Sequence, residues 1–245
     1  MGPQALFQAG KLDEAIAALN AEVRDNPSDA RRRTFLFELL CFQGEYDRAE
    51  KHLQVLAAAG PEAQMGATLY LSALHGERTR QKLFEEQDYP PVPAAAQPRQ
   101  GVLNGKPFAS FEDADPRVGP RLELFAAGAY LWIPLEHVEA IEMQAPTRLR
   151  DLLWIPAMVR TGPAFRGTEL GEVLFPVLAP FSYKDPDNLV RLGRATGWDE
   201  VNGQNVPFGQ RLFSVDGEDV PILELRKVEF EKSEGEPAGG AAQEA

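Results

Sequence analysis

Apolar residues recur at helical spacing through the first third of the chain, and the pattern then becomes strand-like. In the segment GKLDEAIAALNAEVRDNP (10–27), the apolar positions lie three or four residues apart and predict one buried helix face: Ala15, Ile16, Leu19 and Val23. The segment GEYDRAEKHLQVLAAAGP (44–61) repeats this pattern with Ala49, Leu53 and Leu56. Between the two, RRRTFLFELLCFQG is apolar around most of its circumference, so we expect a central helix there.

The two similar segments are displaced by about 34 residues, which is the period of tetratricopeptide repeats. Five positions agree at this spacing: Gly10, Leu12, Ala15, Leu19 and Pro27 correspond to Gly44, Tyr46, Ala49, Leu53 and Pro61. Small residues let two antiparallel helices approach closely, and proline ends the second helix. A third repeat would place glycine where Arg78 stands, so residues 61–86 are expected to form a capping helix.

Beyond residue 88 the helical period disappears. Four short segments are rich in aromatic and branched residues and bounded by glycine or proline, which predicts strands: 121–126, 129–134, 156–161 and 171–177. The turn signal Asp216-Gly217-Glu218 predicts a hairpin between QRLFSV and DVPILELRKVEF, and Pro221 places the second strand at a sheet edge. Short helices are expected near PTRLRDLLW and DPDNLVRLG.

These patterns predict an α+β protein in which tetratricopeptide-like helical hairpins precede a mixed or antiparallel, β-rich α+β domain. A proline-rich stretch and a final segment without apolar period set the expected boundaries. We expect a helical domain over 1–88, a linker over 89–100, the α+β domain over 101–231 and a disordered tail over 232–245.

Composition and charge narrow the function classes. The chain has 245 residues, 44% of them hydrophobic, and no apolar run approaches the roughly 20 residues that span a bilayer. A formal net charge of -12 argues against nucleic acid as a partner, because that affinity comes from clustered lysine and arginine. The N-terminus MGPQALFQAG lacks a secretory signal and the one cysteine cannot form an internal disulfide, so we expect a cytoplasmic protein without membrane contact.

Signatures of catalysis and of cofactor binding are absent from the sequence. The histidines His52, His75 and His137 lie in separate segments without a second ligand at metal spacing, so no metal site is predicted. Cys41 lies in the most apolar helix and is expected to be a buried, inert thiol. VLNGK lacks the spacing of a phosphate-binding loop and no GxSxG motif occurs, so we predict no cofactor and no enzymatic activity.

Several blocks of sequence resemble the ImpE/TagJ family of bacterial type VI secretion accessory proteins, over about residues 5–230. They are FLFELLCFQGEYDRAEKHL, YLWIPLEHVEAIE, LRDLLWIPA, GEVLFPVLAP, RLGRATGW and the segment DGEDVPILELRKVEF. The resemblance implies a non-enzymatic adaptor beside the contractile sheath. It implies that the adaptor binds the N-terminal helix of the small sheath subunit and can link the sheath to the ATPase that disassembles it.

A short helical repeat array exposes a groove formed by the first helices of its hairpins, where an amphipathic segment can bind. If Ala30 begins the second hairpin, the groove-facing positions are Arg31, Thr34, Glu38, Cys41 and Phe42. The candidate partner contacts among them are Arg31, Thr34, Glu38 and Phe42. We expect Arg31 and Glu38 to be solvated.

Other interpretations stay open. A second candidate surface lies on the α+β domain, where tryptophan and arginine are frequent: Trp154, Arg194 and Trp198. The tryptophans, with Trp132 among them, are core or surface residues, and the core is favoured. Two rival functions are an enzyme of unrecognised type that uses Asp151 or Glu172 with a nearby arginine, and a scaffold that holds several copies together. The sequence does not decide whether the chain self-associates.

Overall fold

The computed structural model describes residues 1–91, 98–162, 165 and 170–231. Within these ranges the helices are α1 Pro3–Gln8, α2 Leu12–Asp25, α3 Ala30–Phe42, α4 Tyr46–Ala57, α5 Pro61–Glu86 and α6 Asn188–Arg191. The strands are β1 Gly101–Leu103, β2 Lys106–Phe108, β3 Phe111–Asp113, β4 Arg121–Ala126, β5 Ala129–Pro134, β6 Val138–Met143, β7 Trp154–Thr161, β8 Glu172–Pro176, β9 Thr196–Val201, β10 Gln204–Gly209, β11 Leu212–Val215, β12 Glu218–Pro221 and β13 Lys227–Phe230. This order confirms the predicted fold class. Much of the predicted linker and the whole predicted tail lie outside the described residues.

The five N-terminal helices follow one another through short loops and pack as neighbours. The two repeated glycines, Gly10 and Gly44, end α1 and α3 with positive φ values of 76° and 75°. A left-handed residue at that place stops a helix and favours glycine, so the sequence repeat marks a repeated helix end. Asp29 begins α3 by accepting a hydrogen bond from the backbone N–H of Arg32 at 3.0 Å, as expected for a capping residue.

The second part is built on an eight-stranded antiparallel sheet in the order β2-β1-β13-β6-β7-β8-β4-β5. A three-stranded sheet, β12-β11-β3, and the hairpin β9–β10 accompany it. The predicted hairpin is confirmed as β11–β12, and its turn residues Asp216 and Gly217 have positive φ values of 53° and 83°. β12 lies at the edge of its sheet, as Pro221 indicated.

One expectation about the strands needs correction, and one hairpin was not predicted. The segment DVPILELRKVEF is not one strand, because β12 ends at Pro221 and a 3-10 turn over Ile222–Glu224 carries the chain to β13 in the large sheet. The turn buries Ile222 completely, which gives the break a packing reason. The hairpin β9–β10 is absent from the sequence prediction, although its turn residues Asn202 and Gly203 have the positive φ values typical of such turns.

Each face of the large sheet carries a core. One face packs against β3 and β11, where the rings of Phe111 and Phe213 stack 4.8 Å apart. The other face packs against the helices, where Phe37 and Tyr70 lie against Trp154 with ring centroids 6.4 Å and 6.5 Å away. The helical part and the sheet therefore share one continuous hydrophobic core. Among the described helices, none has the length and apolar character needed to cross a membrane.

A cluster of buried charges crosses the same interface. Arg80 of α5 donates two hydrogen bonds to Glu123 of β4, both 2.8 Å long, and a third of 3.2 Å to Glu77. The Nε atom of Arg211 lies 3.1 Å from the Glu123 carboxylate, and the same guanidinium pairs with Asp113. All five side chains are buried, so their charged groups pair with one another rather than with water.

Candidate partner-binding groove

An open concavity of about 440 Å³ lies beside the first and third helices. Its walls come from α1, from α3 and from a 3-10 turn over Leu149–Leu152 in the second part of the chain. The lining residues are Gln4, Phe7, Ala30, Arg31, Thr34, Phe35, Glu38 and Leu149. Three of the four candidate partner contacts, Arg31, Thr34 and Glu38, are therefore brought together in one concave site.

The α1 wall is held in place from the second part of the chain. Arg194 donates hydrogen bonds to the carbonyl oxygens of Gln8 and Phe7, at 2.9 Å and 2.8 Å, and its guanidinium carbon lies 4.8 Å from the centre of the Phe7 ring. These carbonyls belong to the end of a six-residue helix, and the Phe7 carbonyl also accepts the backbone N–H of Gly10 at 3.0 Å. The Phe7 ring in turn meets Phe35 edge-on at 5.9 Å. Arg194 thus fixes the aromatic wall of the groove.

The third wall is the turn over Leu149–Leu152, and a carboxylate holds its shape. The Oδ2 atom of Asp151 accepts hydrogen bonds from the backbone N–H groups of Thr147 and Arg148, both at 2.8 Å. Such a cap fixes the start of the turn and leaves Leu149 at the groove. Sequence reasoning placed the groove on the repeat helices alone, so this contribution from the second part of the chain was missed.

Glu38 is nearly buried, with 8% of its surface exposed, although solvation was expected. Burial raises its pKa to about 7, while Arg150 lowers the pKa and Asp151 raises it by smaller amounts. No hydrogen bond or ion pair joins its carboxylate to another described residue. The expectation fails because the turn from the second part of the chain closes over a helix face that the sequence pattern presents as open.

Comparison with known proteins defines the family. Residues 105–229 match a family model described as ImpE protein, and residues 6–70 match a tetratricopeptide repeat. The type VI secretion system accessory component TagJ of Pseudomonas aeruginosa is 31% identical to this chain, over 94% of this chain and 91% of its own length. The chain belongs to the ImpE family. The crystal structure of protein VPA1032 from Vibrio parahaemolyticus shares the fold, with a TM-score of 0.82 and 22% identity over 95% of this chain and 98% of its own.

The fourth predicted contact of the ImpE-family chain, Phe42, does not reach the groove. Its side chain is fully buried, with its ring centroid 6.5 Å from that of Phe7, so a partner cannot contact it directly and its assignment to the surface is wrong. Cys41 is buried as well, and burial raises the pKa of its thiol, which confirms the prediction of a sequestered cysteine. Thr34 lies at the groove and donates its hydroxyl to the carbonyl oxygen of Ala30 at 2.9 Å.

The second predicted surface of the ImpE-family chain is not a single exposed face. Trp154 is 3% exposed, and its Nε1 atom donates to Glu77 at 3.3 Å within the shared core, so the favoured core placement is confirmed and the alternative assignment to a surface is wrong. Arg194 is bonded to α1 as described above. Trp198 is 40% exposed and lies on β9. Of the three residues, only Trp198 therefore offers a large exposed ring.

A second open concavity, of about 470 Å³, contains the two carboxylates of the enzyme alternative, Asp151 and Glu172, together with Arg148. Asp151 is already engaged by backbone N–H groups, which gives it a structural role. Within the described residues, no group of three or more histidine, cysteine, aspartate or glutamate side chains is placed to hold a metal ion.

Proposed function

We propose that this chain is a non-enzymatic adaptor of the type VI secretion system and that its groove binds the N-terminal helix of the small contractile-sheath subunit. The relation to TagJ supports an accessory role in type VI secretion. The tetratricopeptide match supports protein–protein interaction as the mode of action. A link to the sheath-disassembling ATPase stays a prediction from the family resemblance.

The observation that carries the proposal is the composition of the groove. Its lining combines the apolar side chains of Phe7, Phe35 and Leu149 with the polar side chains of Thr34 and Glu38. An amphipathic helix buries one apolar stripe and contacts a small number of polar groups beside it, so this surface fits a helical ligand. The walls are fixed by hydrogen bonds that Arg194 donates to α1 and by those that the Asp151 carboxylate accepts from backbone N–H groups, so little ordering is required when a partner binds.

The proposal can be tested by filling the groove. Thr34→Trp places a large ring among the lining residues and should weaken binding of a synthetic peptide of the sheath helix at least tenfold, or about 1.4 kcal/mol. Thr79→Trp is the matched control, because Thr79 is an exposed helical threonine that also donates its hydroxyl to the carbonyl four residues earlier. Titration calorimetry with the peptide from the small sheath subunit of the same genome measures both.

Thermal melting establishes that both variants are folded, and Ala30→Trp repeats the measurement at a second lining position. We expect the Thr79 variant to bind like the unmodified chain. Equal affinities for the groove and control variants would contradict binding in this groove.

A further inference from the structure

The carboxylate of Glu38 lies in the groove, and the proposed function gives it no specific role. Five acidic side chains are buried in the part of the chain that the structure describes: Glu38, Glu77, Asp113, Asp115 and Glu123. The other four each accept a hydrogen bond from a buried arginine: Glu77 and Glu123 from Arg80, Asp115 from Arg117, and Asp113 from Arg211. Glu38 differs from them because it faces an open groove without such a partner.

The surrounding groups leave this carboxylate unpaired. The titratable and charged groups that face it come from three elements: Arg31 and Cys41 on α3, Tyr70 on α5, and Arg150 and Asp151 on the 149–152 turn. Helix α1, PQALFQ, contributes none. The Arg150 guanidinium stacks on Tyr70, 4.6 Å from the ring centre, and Asp151 is bonded to backbone N–H groups.

A buried carboxylate without a partner is unfavourable, and a cation that forms a hydrogen bond with it relieves the cost. We propose that the groove recognises its partner helix through a lysine or arginine side chain that pairs with Glu38, flanked by apolar residues that cover the groove walls. The net charge of -12 adds a general attraction for such a cation. This inference rests on the proposed function, because it specifies the chemistry of the segment that the groove receives.

The position of Arg31 indicates the orientation in which the partner helix binds. Its neighbours are engaged within the chain, since Arg32 pairs with Glu22 and Arg33 donates to the Pro27 carbonyl. Arg31 is exposed at the other end of the groove lining, and its guanidinium group forms no hydrogen bond or ion pair with a described residue. It precedes Glu38 by two helical turns, about 10 Å along the helix. We therefore expect the partner helix to carry an acidic residue about two turns from its basic one.

The pairing can be tested through its proton linkage. The pKa of Glu38 is about 7 in the free groove, so the side chain is partly protonated near neutral pH. A bound cation favours the ionised form, so binding should release protons and tighten as the pH rises through about 7. If pairing lowers the pKa by about two units, the affinity should rise roughly twentyfold between about pH 5.5 and about pH 8.

Titration calorimetry of the full chain with the synthetic sheath-helix peptide, in two buffers of different ionisation enthalpy, measures affinity and proton release together. Glu38→Gln should release no proton, flatten the pH profile and bind roughly tenfold more weakly at about pH 8. Glu45→Gln, which removes an exposed carboxylate at the start of α4, should keep the linkage. A peptide with each lysine and arginine replaced by methionine repeats the test without altering the protein.

The outcomes separate this inference from the proposed function. Binding that is independent of pH and equally strong in the Glu38 variant would overturn the pairing and leave the adaptor proposal standing. Failure of the unmodified peptide to bind the unmodified chain at any pH would overturn the adaptor proposal and this inference with it.

Discussion

Glu123 is the acidic centre of the charge cluster between the helices and the sheet, and its replacement should destabilise both parts together. Glu123→Gln keeps the shape of the side chain but leaves the Arg80 and Arg211 guanidinium groups buried without their shared anion. Removing one partner of a buried ion pair costs about 3 to 5 kcal/mol of unfolding free energy. For a chain of this size we expect the melting temperature to fall by about 10 °C.

The pH dependence of stability gives a second, independent measure. Burial by itself would raise the pKa of Glu123, but Arg211 and Arg80 outweigh burial and hold it at about 2. Because the folded-state pKa lies below the ordinary 4.5, the stabilisation is present above about pH 4.5 and is lost as the pH falls through about 2. The difference corresponds to roughly 3 kcal/mol. The glutamine variant should lose this acid-sensitive part of its stability.

Melting followed by circular dichroism and by tryptophan fluorescence tests both expectations. Trp154 reports on the shared core, whereas ellipticity at helical wavelengths reports on α1–α5. Glu112→Gln, on the exposed face of β3, is the control for loss of one carboxylate. A Glu123 variant that melts within about 1 °C of this control would refute the argument that the cluster joins the two parts.

Two further predictions concern the same interface. A Cβ atom at Gly76 of α5 would lie 2.7 Å from the Phe125 ring, so Gly76→Ala should lower the free energy of unfolding by about 1 to 3 kcal/mol. Gly66→Ala, in the open part of the same helix, should raise the free energy of unfolding by about 0.5 to 1 kcal/mol. Chemical denaturation compares the two variants, and equal effects would contradict the close approach. Limited proteolysis should cleave the chain between Pro90 and Pro98. The two fragments should nevertheless elute together in gel filtration, because they share a core. Separate elution of the fragments, or first cleavage within GEVLFPVLAPFSY, would contradict this prediction.

Local sequence rules were sufficient to predict those features that a single short segment determines. Gly10 and Gly44 have the left-handed backbone that their place after a helix requires, and Asp29 caps α3. Asp216 and Gly217 form the hairpin turn that the dipeptide predicts. The helical spacing of Ala15, Leu19 and their counterparts follows from burial of one helix face. Each of these features depends on the residues within about one turn of it.

The groove could be predicted only in part, because its walls come from distant segments. The periodicity of α3 places Arg31, Thr34 and Glu38 on one side of the helix. No local pattern shows that Leu149 closes this side, or that Arg194 holds Phe7 against it. The same limitation explains why Phe42 and Trp154 were considered as surface residues, since a large apolar side chain does not indicate whether another part of the chain will cover it.

The construction of the groove from both parts connects stability with recognition. Leu149 reaches the groove only while the second part of the chain is docked on the helices, and the docking rests on the shared core and on the buried charges around Glu123. The same docked turn buries Glu38 and so raises its pKa. A change that loosens the interface should therefore restore solvent to Glu38, lower its pKa toward the ordinary value of 4.5 and weaken its preference for a cation. Near the lowered melting temperature of the Glu123 variant, the proton linkage of partner binding should therefore decrease, although none of the groove residues has been altered.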